Sequence, residues 1–228
     1  MPELGDRGKA FIGVSLDTKA FTREWVRTAV LRAIERHDAL LIVLADEISL
    51  YTRAPVLRDR TLIFGYQEAR RKMLQRRDEL RRFMASEIDR LTREDQARVE
   101  LVGWNDFADA EYARVLRALW IGCVCSKDFR KDVDACAASH MWFERELLGS
   151  DLIVEMNRHY IVDEVSMCLR IAEAAGYSHE YYPGAQLPVL ERLYAGVYGK
   201  DGLTVAELMG REPRRRFTAL SAPVAGEH

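Results

Sequence analysis

Two continuous apolar runs, "AFIGVS" at 10–15 and "ALLIVLAD" at 39–46, bracket a stretch whose apolar residues recur at 25, 26, 29, 30 and 34. The runs have the length of strands, and the spacing between them is that of a helix with one buried face. Thr22 stands where an N-cap belongs, with Glu24 in the first turn. Strand, helix, strand in that order is a βαβ unit. Parallel strands covered on both faces explain why neither run alternates with polar residues.

The same reading continues to the C-terminus. Residues 47–60, with Pro55, read as a loop, 65–92 as a long basic helix and "ARVELVGW" at 97–104 as a third strand. Helices are expected near 107–121 and 126–148, and another from 151 to 175, stopped by Gly176. "SHEYYPG" at 178–184 is a short strand or turn closed by Pro183, and 188–199 a last helix. Residues 211–228, basic and then small and polar, read as a disordered tail. The alternation predicts an α/β fold: a Rossmann-like open, mostly parallel sheet flanked by helices. It forms a single domain over residues 1–210, with its crevice outside the carboxyl ends of the strands. Ser15 lies at such an end.

Composition narrows the class without naming it. At 228 residues, 48% apolar and 31% charged, the chain suits one globular domain with a full core. No run of 18 apolar residues occurs, so no membrane span or membrane partner is expected. The first residues, "MPELGDRGKAF", lack the apolar core of a signal peptide, and cytoplasmic localisation is the default. The four cysteines, Cys123, Cys125, Cys136 and Cys168, begin with a C-x-C pair rather than C-x-x-C. Three of them with His140 would make a zinc set only if folding gathered them; the plainer reading is small reduced helix residues. A net charge of −2 carries no message, but "ARRKMLQRRDELRR" at 69–82 holds seven Arg and Lys against two acids, a local basic patch.

Ser15 is, by position, either a turn-capping serine or a nucleophile. The hydrolase elbow is G-x-S-x-G, whereas Gly13-Val14-Ser15-Leu16-Asp17 lacks the second glycine. His37, His140, His159 and His179 are scattered, and no spacing suggests a triad. A nucleophilic Ser15 would therefore need a substrate that arrives activated. In "HYIVDEVS", Tyr160 and Glu164 are four apart and share one helix face. That face is otherwise apolar, so the carboxylate either reaches the surface or needs a partner such as a substrate ammonium. "EYYPG" adds two tyrosines before a proline at a strand end.

Serine after a strand, Tyr-x3-Glu on a late helix and Tyr-Pro about twenty residues on together resemble the cyclodipeptide synthases, over about residues 9–200. The resemblance implies the fold of class Ic aminoacyl-tRNA synthetase catalytic domains and aminoacyl-tRNAs as substrates. It implies no cofactor and no metal, and a monomer or weak homodimer. It makes Ser15 the acylated residue, Tyr160 and Glu164 the pair on the substrate amino group, and Tyr182 the tyrosine of proton transfer, with Tyr181 the alternative register. Phe11, Gly13, Thr18, Val43, Met167 and Glu180 would line the pocket. Thr18, where part of the family carries Asn, and Pro183 after Tyr182 point to the XYP subfamily. Ser166 stands where members often carry Pro, which puts the local helix geometry in question. Glu180 is the odd pocket residue and hints at a polar or basic substrate side chain. Arg70, Arg71, Lys72, Arg76, Arg77, Arg81 and Arg82 would bind the tRNA acceptor arm. Two other readings stay open: a non-catalytic tRNA-binding protein of the same fold, and a serine esterase, which needs a histidine within reach of Ser15.

Overall fold

The structure, a computed structural model, describes residues 8–16, 19–50, 62–139 and 150–220. Five strands form one sheet: β1 (Lys9–Ser15), β2 (Ala39–Ala45), β3 (Val99–Gly103), β4 (His179–Tyr182) and β5 (Arg216–Ala219). Their order is β3-β2-β1-β4-β5 and every pairing is parallel. The chain works outward from β1 in one direction, then returns to β1 and works outward in the other. The switch of direction between β1 and β4 opens a crevice at the strand carboxyl ends.

The apolar pattern accounts for the layers. Ala10, Ile12 and Val14 of β1 face one side, with Leu40, Ile42 and Leu44 of β2. They meet the buried stripe of α1 (Arg23–Arg36), formed by Trp25, Val26, Ala29, Val30, Ala33 and Ile34. Thr22 caps this helix, accepting from the Trp25 amide at 3.2 Å. The long basic helix α2 (Leu62–Ile88) lays Ala69, Met73, Leu80 and Met84 on the same layer. Phe11, Leu41, Val43 and Val102 face the other side, against Met167 and Ile171. The single turn α3 (Arg93–Gln96) leads into β3.

A helical layer follows: α4 (Ala110–Cys125), α5 (Lys127–Ser139), α6 (Ser150–Leu169) and α7 (Pro188–Tyr194) pack around Val115, Leu119, Phe129, Val133, Ile161 and Val165. Residues 51–61 and 140–149, and with them Pro55 and His140, lie outside the described residues. Helix α6 passes Ser166 without a break. The Ser166 hydroxyl donates to the Val162 carbonyl at 2.7 Å, one turn back, which is how serine is accommodated inside a helix. The helix then widens into a π turn (Arg170–Ala174) and stops at Gly176, whose φ of +79° suits glycine. The expected last helix is shorter than 188–199. A further short helix, α8 (Val205–Met209), follows, capped by the reciprocal Thr204–Glu207 pair. No helix of the described residues is long and apolar enough to cross a membrane.

The expectation of a disordered tail from 211 fails up to Leu220. Residues 216–219 pair in parallel with β4 and complete the sheet. The Leu220 carbonyl accepts from the Trp25 indole at 2.8 Å. Glu173, 2% exposed in the π turn, accepts from the Arg214 and Arg215 amides, each at 3.1 Å. A basic, polar segment thus becomes ordered because a buried carboxylate and an open sheet edge satisfy its backbone. Residues 221–228 lie outside the described residues.

Candidate active site

The switch-point crevice is an open cleft, its empty space of about 430 Å³ counted together with the solvent at its mouth. Strand β1 contributes Phe11, Gly13 and Ser15, spaced by two and therefore on one face. Strand β2 adds Val43 and Ala45, and β4 adds Glu180 and Tyr182. From above, α6 lowers Tyr160, Glu164, Met167 and Cys168, and the π turn adds Ile171. Trp104, just past β3, closes the side. Its amide donates to Asp46 Oδ1 at 3.0 Å, so the acid at the end of β2 fixes the neighbouring strand end.

Ser15, the Tyr160–Glu164 pair and Tyr182, from three separate parts of the sequence, thus line one cleft, as do Phe11, Gly13, Val43, Met167 and Glu180. Thr18 lies outside the described residues. Tyr181 faces away from the cleft. It is 1% exposed behind the sheet, its hydroxyl 3.0 Å from His37 Nε2. An added Cβ at Gly13 would meet nothing within 4 Å, so cleft space lies over this glycine.

Trp104, Ala45, Cys168 and Ile171 belong to the cleft without having been singled out in the sequence. Cys168 and Ile171 continue the Tyr160–Glu164 face by four and seven residues from Glu164, a signal the spacing carried. Trp104 and Ala45 sit at strand carboxyl ends, where the fold places its crevice. Arg215, against Glu180, carried no such signal.

The carboxylates define the electrostatics. Glu164 Oε2 is buried with no hydrogen-bond partner among the described residues. Burial, and then the Glu180 carboxylate, push the Glu164 carboxyl up to about 8 against the pull of Arg215. Arg215 donates through Nε to Glu180 Oε2 at 2.9 Å and through Nη2 to the same oxygen. Its guanidinium also lies over the Tyr194 ring, 5.4 Å from the centroid. Burial, helped by Glu164 and Glu180, raises the Tyr182 phenol far above its usual range, so it stays protonated. Burial likewise keeps the Cys168 thiol neutral. No histidine is among the lining residues. His37 and His179 lie behind the sheet with Tyr181, and the His159 ring packs tilted against Trp120. No group of three metal-ligating side chains occurs among the described residues.

The basic helix passes close to the cleft. Arg76 Nε donates to the Leu16 carbonyl, one residue past Ser15, at 3.2 Å, and Nη1 reaches Glu79. Arg71 and Lys72 pair with Glu68, and Arg77 pairs with Asp78. Arg81 leans on the Leu101 carbonyl at 3.4 Å. Arg70 and Arg82 stand exposed, with no carboxylate partner among the described residues.

No protein-family model matches the chain, and no curated protein matches it. Solved structures do. A cyclodipeptide synthase from Fluoribacter dumoffii superposes with a TM-score of 0.71 at 15% identity, covering 94% of this chain and 89% of that one. The fold is that of the cyclodipeptide synthases. One from Bacillus thermoamylovorans agrees equally, with a TM-score of 0.71, 14% identity and the same coverage, 94% and 89%. One from Candidatus Glomeribacter gigasporarum, solved bound to Phe-tRNAPhe, gives 0.58 at 15% identity over 96% of this chain and 93% of that one. At such identities the likeness is one of fold; chemistry must be argued from the cleft.

Proposed function

We propose that the protein is a tRNA-dependent cyclodipeptide synthase, an aminoacyltransferase of the XYP type that joins two aminoacyl groups into a 2,5-diketopiperazine. The observation that carries this reading is the convergence of Ser15, Tyr160, Glu164 and Tyr182 on one cleft, with an unpartnered buried carboxylate oxygen on Glu164. The solved tRNA complex of a protein with this fold supports charged tRNA as the donor here.

The donor is an ester, so its transfer to Ser15 is a near-balanced ester exchange. The Ser15 hydroxyl adds to the aminoacyl carbonyl, the bond to the ribose oxygen breaks, and the hydroxyl proton leaves with the tRNA. This explains how a serine that has no histidine lining its cleft among the described residues can act. The amine of a second aminoacyl-tRNA then attacks the Ser15 ester, forming an amide and freeing the serine oxygen. The resulting dipeptide, still esterified to its tRNA, passes that ester to Ser15. Its own amine then closes the ring and releases the product. Amide replaces ester at each C–N bond, and ring closure gains from effective concentration.

Glu164 receives the substrate ammonium with Tyr160 and takes a proton when the amine must be free. Tyr182, protonated at every working pH, passes a proton through its hydroxyl and does not act as a phenolate base. Helix α2 holds the acceptor arm through phosphate contacts, which position the tRNA and leave the choice of amino acid to the cleft. The esterase reading lacks its histidine among the described residues. The non-catalytic reading gives no reason for four polar groups to meet in one cleft.

Expression in a bacterial host, with mass spectrometry of the medium and Ser15→Ala as control, tests the proposal. A cyclic dipeptide that disappears in the variant is expected. A product that persists in Ser15→Ala would remove the covalent scheme. No product, with none from tRNAs charged in vitro, would remove the activity.

A further inference from the structure

The ion pair at the floor of the cleft says which substrates it admits. Glu180 is the register partner of Phe11, four residues down β1 from Ser15. At roughly 3.3 Å per strand residue, the backbone of Glu180 sits level with a point about 13 Å down the strand from that of the serine. Between them the wall is Gly13, over which the cleft is open. Phe11, Val43, Met167 and Ile171 make much of the wall apolar, and the Tyr160, Tyr182 and Cys168 side chains beside them are uncharged. Only a long side chain attached near Ser15 reaches the floor.

The charges then balance. The cleft without substrate keeps Glu164 protonated at neutral pH, but a substrate ammonium seated against it ionises it. With Glu180 ionised against Arg215, the cleft then carries two negative charges. Arg215, its side chain 2% exposed, brings one positive charge, and the substrate ammonium brings the other. Nothing remains to balance a charged side chain, and burying one unpaired is strongly unfavourable. Both Arg215 bonds end on Glu180 Oε2, so Oε1 is left to accept from the cleft.

We propose that Arg215 is a specificity-determining residue. By neutralising Glu180 it restricts the pocket to long, uncharged aminoacyl side chains that carry a hydrogen-bond donor, as tryptophan and tyrosine do. This rests on the reading of the cleft as an aminoacyl site. It reverses the simplest expectation from Glu180 alone, a basic substrate. Arg215 comes from the segment that the sequence reads as a tail, held by the Glu173 carboxylate through the Arg214 and Arg215 amides and supported by Glu173's bond to the Tyr194 hydroxyl at 2.8 Å. Glu173 is therefore a positioning residue for the pocket's counter-charge.

The test uses purified protein and tRNAs charged with Trp, Tyr, Phe, Leu, Lys or Arg, reading acylation of Ser15 by intact mass alongside the cyclic products. The wild-type protein is expected to take Trp or Tyr over Lys and Arg by at least about tenfold. Arg215→Gln frees the Glu180 carboxylate and is expected to shift that ratio toward Lys and Arg by about tenfold or more. The double variant Glu180→Leu/Arg215→Leu buries no charge, so it guards against a single variant that does not fold. It is expected to take Phe and Leu as readily as Trp and Tyr. Wild-type acylation by Lys or Arg as fast as by Trp and Tyr would overturn the inference while leaving the reaction intact. So would unchanged preference in both variants. Acylation by none of the six would overturn the reaction, and this inference with it.

Discussion

The hydroxyl of Tyr181 lies 3.0 Å from Nε2 of His37, on the face of the sheet turned away from the cleft. Successive strand residues point to opposite faces, so this contact commits Tyr182 to the cleft. Tyr181→Phe is expected to lose one buried hydrogen bond, about 1 kcal/mol, and roughly 2–4 °C of Tm, with product yield unchanged. Tyr182→Phe is expected to keep its Tm and lose at least about tenfold in product formation. Thermal melts and product quantification on both variants check the pair; the opposite pattern would move the role to Tyr181.

Glu164 makes stability depend on pH in a stated direction. Its carboxyl is raised to about 8 in the folded protein, so between the unfolded value near 4.5 and 8 the folded state holds a proton that the unfolded state has released. Stability from this group is therefore greatest below pH 4.5 and falls as pH rises to about 8, by up to about 1.4 kcal/mol per pH unit. Glu164→Gln cannot release that proton. Its Tm is expected to decline less than that of the wild-type protein between pH 5 and 8, and its product formation is expected to be lost. Melts across pH on both proteins read the difference.

Gly13 borders open cleft space, and a Cβ there would meet nothing within 4 Å. Gly13→Ala is therefore expected to fold at least as stably as the wild-type protein, with a gain of up to about 1 kcal/mol from the stiffer backbone. Gly13→Val fills the route to the floor. It is expected to fold while cutting acylation by the largest amino acids at least about tenfold relative to small ones. A competition assay with mixed charged tRNAs would show whether selectivity follows the added volume.

Arg70 and Arg82 of the basic helix have no carboxylate partner among the described residues, while Arg77 has only the exposed Asp78. Exposed pairs of that kind are weak and exchange readily for phosphate. Charge reversal at Arg70 and Arg82 is expected to raise KM for charged tRNA with little change in kcat. It should also flatten the salt dependence of binding by about 0.9 in log–log slope for each phosphate that the helix no longer neutralises. A change confined to kcat would detach this helix from tRNA binding. Arg76 is unsuitable for this test, because its guanidinium supports the Leu16 carbonyl beside Ser15.

Much of the fold was legible because burial leaves a periodic trace. The runs at 10–15 and 39–46 and the stripe at 25, 26, 29, 30 and 34 are local patterns, and each became the element expected. The four-residue spacing of Tyr160 and Glu164 likewise specified a shared helix face before any packing was known. The capping box at Thr204–Glu207 was equally local, and it announces α8 to a closer reading.

What the sequence by itself determined, then, is the α/β class, the strands around β1 and the candidate side chains at their ends. Tertiary structure alone decided that Tyr182 rather than Tyr181 enters the cleft, since strand phase depends on which face His37 covers. It alone turned the basic segment after 211 into β5, because the need of backbone groups for partners is met by an edge and a carboxylate distant in sequence. It alone gave Glu180 its counter-charge. Periodicity records which face of an element is buried; it holds no record of which charge lies opposite, because that partner comes from 35 residues further along the chain.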